Sequence, residues 1–333
     1  MNQYFSTFIV GLGEVIQNQL DKAFDDFEVD LLLDGLIVYR SSAPWEKIKS
    51  LRFLNNSFFC LSEFKGKLNG PMVYMTERVL REPLPQIKLG KKSFRVIFSL
   101  ANEPVAVNKD LLAKLEQKIS LQYKVEVDRT SPEMEFWFLY RSEGYGFFGL
   151  RLTRHPDYKK ILQKGQLRPE LANLLCLLSE PKAEDVILDP FAGSGAIPLE
   201  RANFPYKQIY AGEIEEQLVK AIQEKTKGKK ILLLQLDATD LKDFASASID
   251  KIITDPPWGV SVGKDIDIAK LYERMFKEFA RVVKPGGLVI LLVGNKELFE
   301  SILKCYFSEF SLLIKYDLLV SGKKAAIYKL KRL

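Results

Sequence analysis

The chain has 333 residues, 47% of them hydrophobic, and its 49 Lys and Arg against 43 Asp and Glu give a formal net charge of +6. That length supplies two or three domains with sizeable cores, and the mild basic excess permits a polyanionic partner without requiring one. Three dispersed cysteines (Cys60, Cys176 and Cys305, no CxxC) exclude a disulfide framework and point to a reducing, cytoplasmic setting, while the lone His155 excludes a multi-His zinc site, so no metal is expected. Met1 to Val10 has no basic stretch leading into a long apolar run, and no apolar run approaches a membrane span, so neither a signal peptide nor a membrane association is expected.

The first 65 residues predict a small α+β unit. Tyr4–Val10 alternates as a strand, and a helix is expected over Glu14–Phe24, with Val15, Ile16, Leu20 and Ala23 at helical spacing. Val29–Leu33 and Leu36–Tyr39 predict a hairpin about Asp34-Gly35. A helix over Pro44–Leu54 and a strand over Ser57–Phe64 complete it. Residues 66–92 hold three glycines, Pro71, Pro83 and Pro85, and are expected to be turns. Strands follow at Ser93–Leu100, Val125–Asp128, Glu135–Tyr140 and Gly146–Leu152, with a helix over Asn108–Leu121. Between Arg151 and Arg168 six cations, including Arg154, Lys159, Lys160 and Lys164, accompany one acid, Asp157. An isolated run of this kind is most often a solvated connection.

From Arg168 the texture becomes alternating strand and helix. Helices are expected over Pro169–Ser179, Ala196–Asn203, Glu216–Lys225 and Leu271–Val282. Strands are expected at Val186–Leu188, Gln208–Ala211, Ile231–Gln235, Lys251–Thr254 and Leu288–Val293. That order predicts a mostly parallel sheet covered by helices, ending in an antiparallel hairpin of Leu312–Val320 and Ala325–Leu330.

Four segments of this last region carry chemistry. Asp189-Pro190-Phe191-Ala192-Gly193-Ser194-Gly195 follows a buried strand, and its glycines let the backbone approach a ligand. It lacks the third Gly of a dehydrogenase fingerprint and the Lys of a P-loop. Glu213, in Gly212-Glu213-Ile214-Glu215, ends the next strand about 20 residues on, where a carboxylate can accept both hydroxyls of a ribose. Asp237, in Leu236-Asp237-Ala238, could take an adenine amino group or cap a helix. Asp255-Pro256-Pro257-Trp258-Gly259 is the sharpest: two prolines fix a turn and remove two donors, leaving carbonyls as acceptors. Asp255 and the Pro256 carbonyl could hold both hydrogens of an exocyclic amino group, with Trp258 stacked on a flipped base. The competing reading is a proline-stiffened loop around a core Trp.

In this order the motifs resemble those of the class I amino-methyltransferases with an (N/D/S)-PP-(Y/F/W) motif. Gly165-Gln166-Leu167-Arg168-Pro169-Glu170-Leu171-Ala172 is similar to the approach to the first motif in one branch, the THUMP-containing RNA guanine-N2-methyltransferases. The match is specific over residues 165–295; Phe8-Ile9-Val10-Gly11-Leu12-Gly13-Glu14 and Ser93–Leu152 resemble that branch's N-terminal domains by pattern. Trp258 stands where Tyr is common, and Ala192 where a Cys or small residue is common. The resemblance implies a ferredoxin-like domain over 1–65, a THUMP-like RNA-binding domain over 66–154, a basic linker over 155–167 and a Rossmann-like S-adenosylmethionine-dependent methyltransferase over 168–333. It implies cofactor contacts from Arg168, Asp189, Phe191, Gly193, Gly195, Glu213, Ile214, Asp237, Ala238 and Asp255, and catalysis at Asp255, Pro256, Pro257 and Trp258. The expected partner is RNA, a tRNA first, held in part by Arg154, Lys159, Lys160 and Lys164; no obligate protein partner is evident. An adenine-N6 methyltransferase and a non-catalytic RNA-binding relict are the alternatives.

Overall fold

A computed structural model describes residues 1–153, 166–259 and 267–333. The chain divides into two compact units, Met1–Phe8 with Gln17–Arg154, and Ile9–Ile16 with His155–Leu333. In chain order, the elements up to residue 153 are β1 (Asn2–Thr7), α1 (Gly13–Ala23), β2 (Glu28–Leu33), β3 (Leu36–Ser41), α2 (Trp45–Lys49), β4 (Asn56–Lys65), α3 (Pro71–Arg81), β5 (Ser93–Leu100), β6 (Glu103–Pro104), α4 (Lys109–Tyr123), β7 (Glu126–Val127), β8 (Met134–Tyr140) and β9 (Tyr145–Arg151).

All nine of these strands belong to one sheet, in the order β2-β3-β1-β4-β9-β8-β5-β6 with β7 beside β5. The expected boundary at 65/66 falls between β4 and α3, yet β4 pairs antiparallel with β9, so both segments share this sheet. Inside it a cluster of Phe5, Leu36, Val38, Phe58, Leu139 and Phe147 is buried. Within 66–92, expected as turns, lies the helix α3. Pro71 begins it, and Met72, Met75, Thr76 and Val79 are buried at helical spacing; the glycines and prolines around it conceal that periodicity. The helix expected over Pro44–Leu54 shrinks to Trp45–Lys49, its end marked by Ser50.

The second unit continues with α5 (Pro169–Leu178), β10 (Val186–Asp189), α6 (Ala196–Arg201), β11 (Gln208–Glu213), α7 (Glu216–Thr226), β12 (Ile231–Gln235), β13 (Ile249–Thr254), α8 (Ile268–Val282), β14 (Val283–Val293), α9 (Lys296–Lys304), β15 (Phe310–Val320) and β16 (Lys323–Arg332). Its seven strands run β12-β11-β10-β13-β14-β16-β15. The first five are parallel neighbours, and β16 joins β14 antiparallel. The expected Rossmann-like sheet with a terminal antiparallel hairpin is therefore present. Two details differ: α9 was concealed by its short length, and β14 begins five residues before the apolar run, at Val283. Helix α8 buries Tyr272, Met275, Phe276 and Phe279 in the core of this unit, and Asp267 caps it by accepting from Lys270 N at 3.2 Å.

Chain order in this sheet sets the place of the site. From β10 the chain builds outward through β11 and β12 on one side, then returns to lay β13 and β14 on the other. The crevice where the direction switches lies between β10 and β13, and open parallel sheets bind ligands at the carboxyl ends of such strands. The loops after β10 and β13 are the Asp189 and Asp255 motifs.

Candidate active site

Asp189 closes β10 and is 1% exposed. Its Oδ1 accepts from the Thr254 hydroxyl at 2.7 Å and from Phe191 N at 3.2 Å, which ties the ends of β10 and β13 together. Its Oδ2 is buried with no hydrogen-bond partner among the described residues. Burial pushes this carboxyl up to about 7; Thr254 and Phe191 oppose the shift, and the negative charges of Asp255 and Glu213 add to it. A buried carboxylate oxygen with no partner is costly, and three mutually repelling acids lower their energy when a cation enters among them.

The glycine loop is held open by Glu213 at the end of β11. Its Oε2 accepts from Gly193 N at 2.9 Å, and its Oε1 from Ile214 N at 2.8 Å and Glu215 N at 3.2 Å. Gly193 and Gly195 both sit at positive φ, 52° and 84°. A Cβ on Gly193 would meet nothing nearer than 3.9 Å, whereas one on Gly195 would press on Ile222 at 3.1 Å. The first glycine thus leaves open space beside the loop, and the second packs against α7. Phe191 packs on the core and Ile214 is 61% exposed. Asp237, after β12, is exposed; its Oδ1 accepts from Thr239 N at 2.8 Å. That makes it the head of a turn rather than the helix cap weighed above, because no helix follows it. Ala238 beside it is buried.

After β13 the Asp-Pro-Pro-Trp turn is closed by contacts of its own. Trp258 Nε1 donates to Asp255 Oδ1 at 2.9 Å. Burial pushes the Asp255 carboxyl up to about 7, with the Trp258 N–H acting the other way. The Pro257 carbonyl accepts from the Tyr272 hydroxyl of α8 at 2.9 Å, and Tyr272 is fully buried. The Pro256 carbonyl has no donor among the described residues. Of the two proline carbonyls, then, one fixes the turn and the other remains an acceptor. Tyr272 and Thr254 were missed by sequence reasoning, and only their sheet and helix positions reveal their use.

Not every expected residue joins this group. Arg168 begins α5, and its guanidinium bonds the buried Glu170 at 2.7 Å. Arg154, Lys159, Lys160 and Lys164 lie outside the described residues. Among the described residues no cluster of His, Cys, Asp and Glu could hold a metal ion, and no helix is long and apolar enough to cross a membrane. Cys176 is buried in α5, and burial raises its thiol well above the usual range, which makes it unreactive.

Known proteins resemble this chain in sequence and fold. Residues 156–310 match the family described as RMKL-like, methyltransferase domain. The chain is 29% identical over 230 residues to the tRNA (guanine(6)-N2)-methyltransferase of Thermus thermophilus, covering 67% of this chain and 68% of that one. It is 31% identical over 182 residues to the U6 snRNA (guanine-N(2))-methyltransferase THUMPD2 of Bos taurus, covering 52% of this chain but only 35% of the relative. The crystal structure of TrmN from Thermus thermophilus superposes with a TM-score of 0.80 at 23% identity over the whole of both chains, which shows a common fold. The strand-end site suits a cationic nucleoside cofactor: a buried carboxylate oxygen with no partner among the described residues, an acid at the end of the next strand that accepts from the glycine loop, and open space beside a glycine. Residues 156–310 thus resemble an RMKL-like methyltransferase domain, and the chain that carries them is an S-adenosylmethionine-dependent methyltransferase.

Proposed function

We propose that the protein methylates the exocyclic N2 of a guanine in RNA, with tRNA the first substrate to test. The observation that carries this reading is the acceptor pair of the Asp255-Pro256 turn, one carboxylate oxygen and one carbonyl without a donor among the described residues, at the switch point of the sheet. Those two acceptors match the two hydrogens of an amino group. Adenine N6 offers the same two hydrogens, so the turn alone does not choose. The relatives do favour one: a tRNA enzyme and a U6 snRNA enzyme differ in RNA but share guanine N2 in their names.

In this reading Asp189 and Glu213 hold the cofactor's cationic and ribose ends, with Phe191, Gly193, Gly195, Ile214, Asp237 and Ala238 around it. The cofactor supplies a methyl group on a sulfonium. Asp255 and the Pro256 carbonyl hold the amino hydrogens so that the nitrogen faces that methyl. With the cofactor bound, the nitrogen's electron pair would form the C–N bond as the C–S bond breaks, and the proton it then sheds would pass to Asp255. Positioning and charge stabilisation carry the rate. The segments 1–65 and 66–154, read as ferredoxin-like and THUMP-like, would hold the RNA, and the cations of the 155–167 linker with Arg154 would contact phosphates. A cytoplasmic site of action follows from that substrate and agrees with the sparse, dispersed cysteines.

Transcripts made with inosine in place of guanosine lack N2. The reading expects a guanosine transcript to accept labelled methyl and its inosine counterpart to accept none; equal labelling of both rejects it.

A further inference from the structure

Gly294 follows the last residue of β14, Val293, on the strand beside β13. A Cβ built there would stand 2.3 Å from Trp258 Cε3, 2.4 Å from Cδ2 and 2.9 Å from Cγ. The indole therefore lies directly on the Gly294 backbone. Gly294 is not among the glycines at positive φ, so its backbone suits any residue, and the clash with Trp258 is what a side chain would meet. The other fixed point of the indole is its N–H, which donates to Asp255 Oδ1. Ring and carboxylate are thus held as one piece, with a single Asp255 oxygen left over among the described residues.

We propose that Gly294 and Trp258 are positioning residues: the bare backbone at 294 seats the indole so that its N–H takes one oxygen of Asp255 and aims the other at the amino group to be methylated. This rests on the reading of the Asp255 turn as the methyl-acceptor site and adds a task for Trp258 beyond stacking. A Phe or Tyr ring could stack on a base but could not make this bond, because neither carries an N–H at that place. The bond also opposes the burial that raises Asp255. Among the described residues the other ionisable groups facing Asp255 are Asp189 at the end of β10 and Tyr272 of α8; neither is a cation that could replace it.

The test combines Gly294→Ala, Trp258→Phe and the double variant. Gly294→Ala should lower kcat at pH 7 at least tenfold while leaving cofactor Kd within about twofold, which also shows that the variant is folded. The acid limb of its kcat profile should move to higher pH, as should that of Trp258→Phe. The double variant should be no slower than Trp258→Phe, since that variant has already lost the indole N–H bond that a side chain at 294 would displace. A Gly294→Ala enzyme with unchanged turnover and profile, or single effects that multiply in the double variant, would overturn the proposal. A readout without RNA separates it from the substrate assignment. The emission of Trp258, isolated as the difference between the parent protein and Trp258→Phe, should titrate near pH 7 with Asp255, and Gly294→Ala should abolish that titration. A pH-independent difference emission contradicts the indole–carboxylate bond even if guanine is the substrate, and a titrating one supports it even if guanine is not.

Discussion

Replacing Asp189 with Asn should make the cofactor-free protein more stable at pH 8 while weakening cofactor binding. The native carboxyl is pushed up to about 7 from an ordinary 3.8. A raised acid binds its proton in the folded state over a range where the unfolded chain has lost it. The associated stability is full below about pH 4 and is lost as the pH rises through 7. With one pK unit worth about 1.4 kcal/mol, the interval amounts to about 4 kcal/mol. Asn presents no charge to bury, keeps an oxygen for the Thr254 hydroxyl and Phe191 N, and sets an amide nitrogen where Oδ2 has no partner. Allowing for that new unpaired donor, a gain of about 2 kcal/mol is expected at pH 8, or roughly 4–8 °C in Tm for a unit of this size. At pH 5 the gain should vanish. Cofactor affinity, measured by titration calorimetry, should fall at least tenfold, because the buried charge serves a cationic ligand. A variant whose Tm at pH 8 equals or lies below that of the parent would refute the reasoning, as would unimpaired cofactor binding.

Glu213→Ala removes an acid that accepts three backbone N–H groups around the glycine loop; cofactor Kd should rise about 10–100-fold, equivalent to about 1.4–2.8 kcal/mol, and an unchanged Kd in a folded variant would remove Glu213 from the site. Turnover should decline as the pH falls through about 7, since Asp255 is then protonated and ceases to be an acceptor; a kcat flat from pH 8 to 6 contradicts this role. Asp255→Ala should cut kcat by about 10²–10³ with cofactor Kd nearly unchanged, and a matching loss of cofactor binding would place Asp255 on the cofactor instead. Changing Lys159, Lys160 and Lys164 to Ala should weaken RNA binding and reduce its salt slope by about one unit per lost phosphate contact; a constant slope would make the run a solvated connection.

The parallel sheet was legible because its strands are short apolar runs bounded by helices of clear period, and the site motifs because they follow those runs directly. Which strands become neighbours was not legible. The adjacency of β10 and β13, which sets Asp189 against Thr254, arises from the order in which the sheet is built, and nothing local in either segment encodes it. The same holds for Gly294 against Trp258 and Tyr272 against the Pro257 carbonyl, since each pair joins residues distant in sequence. Helix α3 failed for a different reason: the prolines and glycines that bound it dominate a turn reading, while its four buried positions are too few to outweigh them. Asp237 shows the converse, a strand-end acid that resembles a helix cap in sequence and heads a turn in the fold.

The most direct test of the central claim is to methylate bulk RNA with isotopically labelled cofactor, digest it to nucleosides and identify the labelled product by mass spectrometry. Label in N2-methylguanosine is the predicted result. Label in N6-methyladenosine would contradict the guanine assignment.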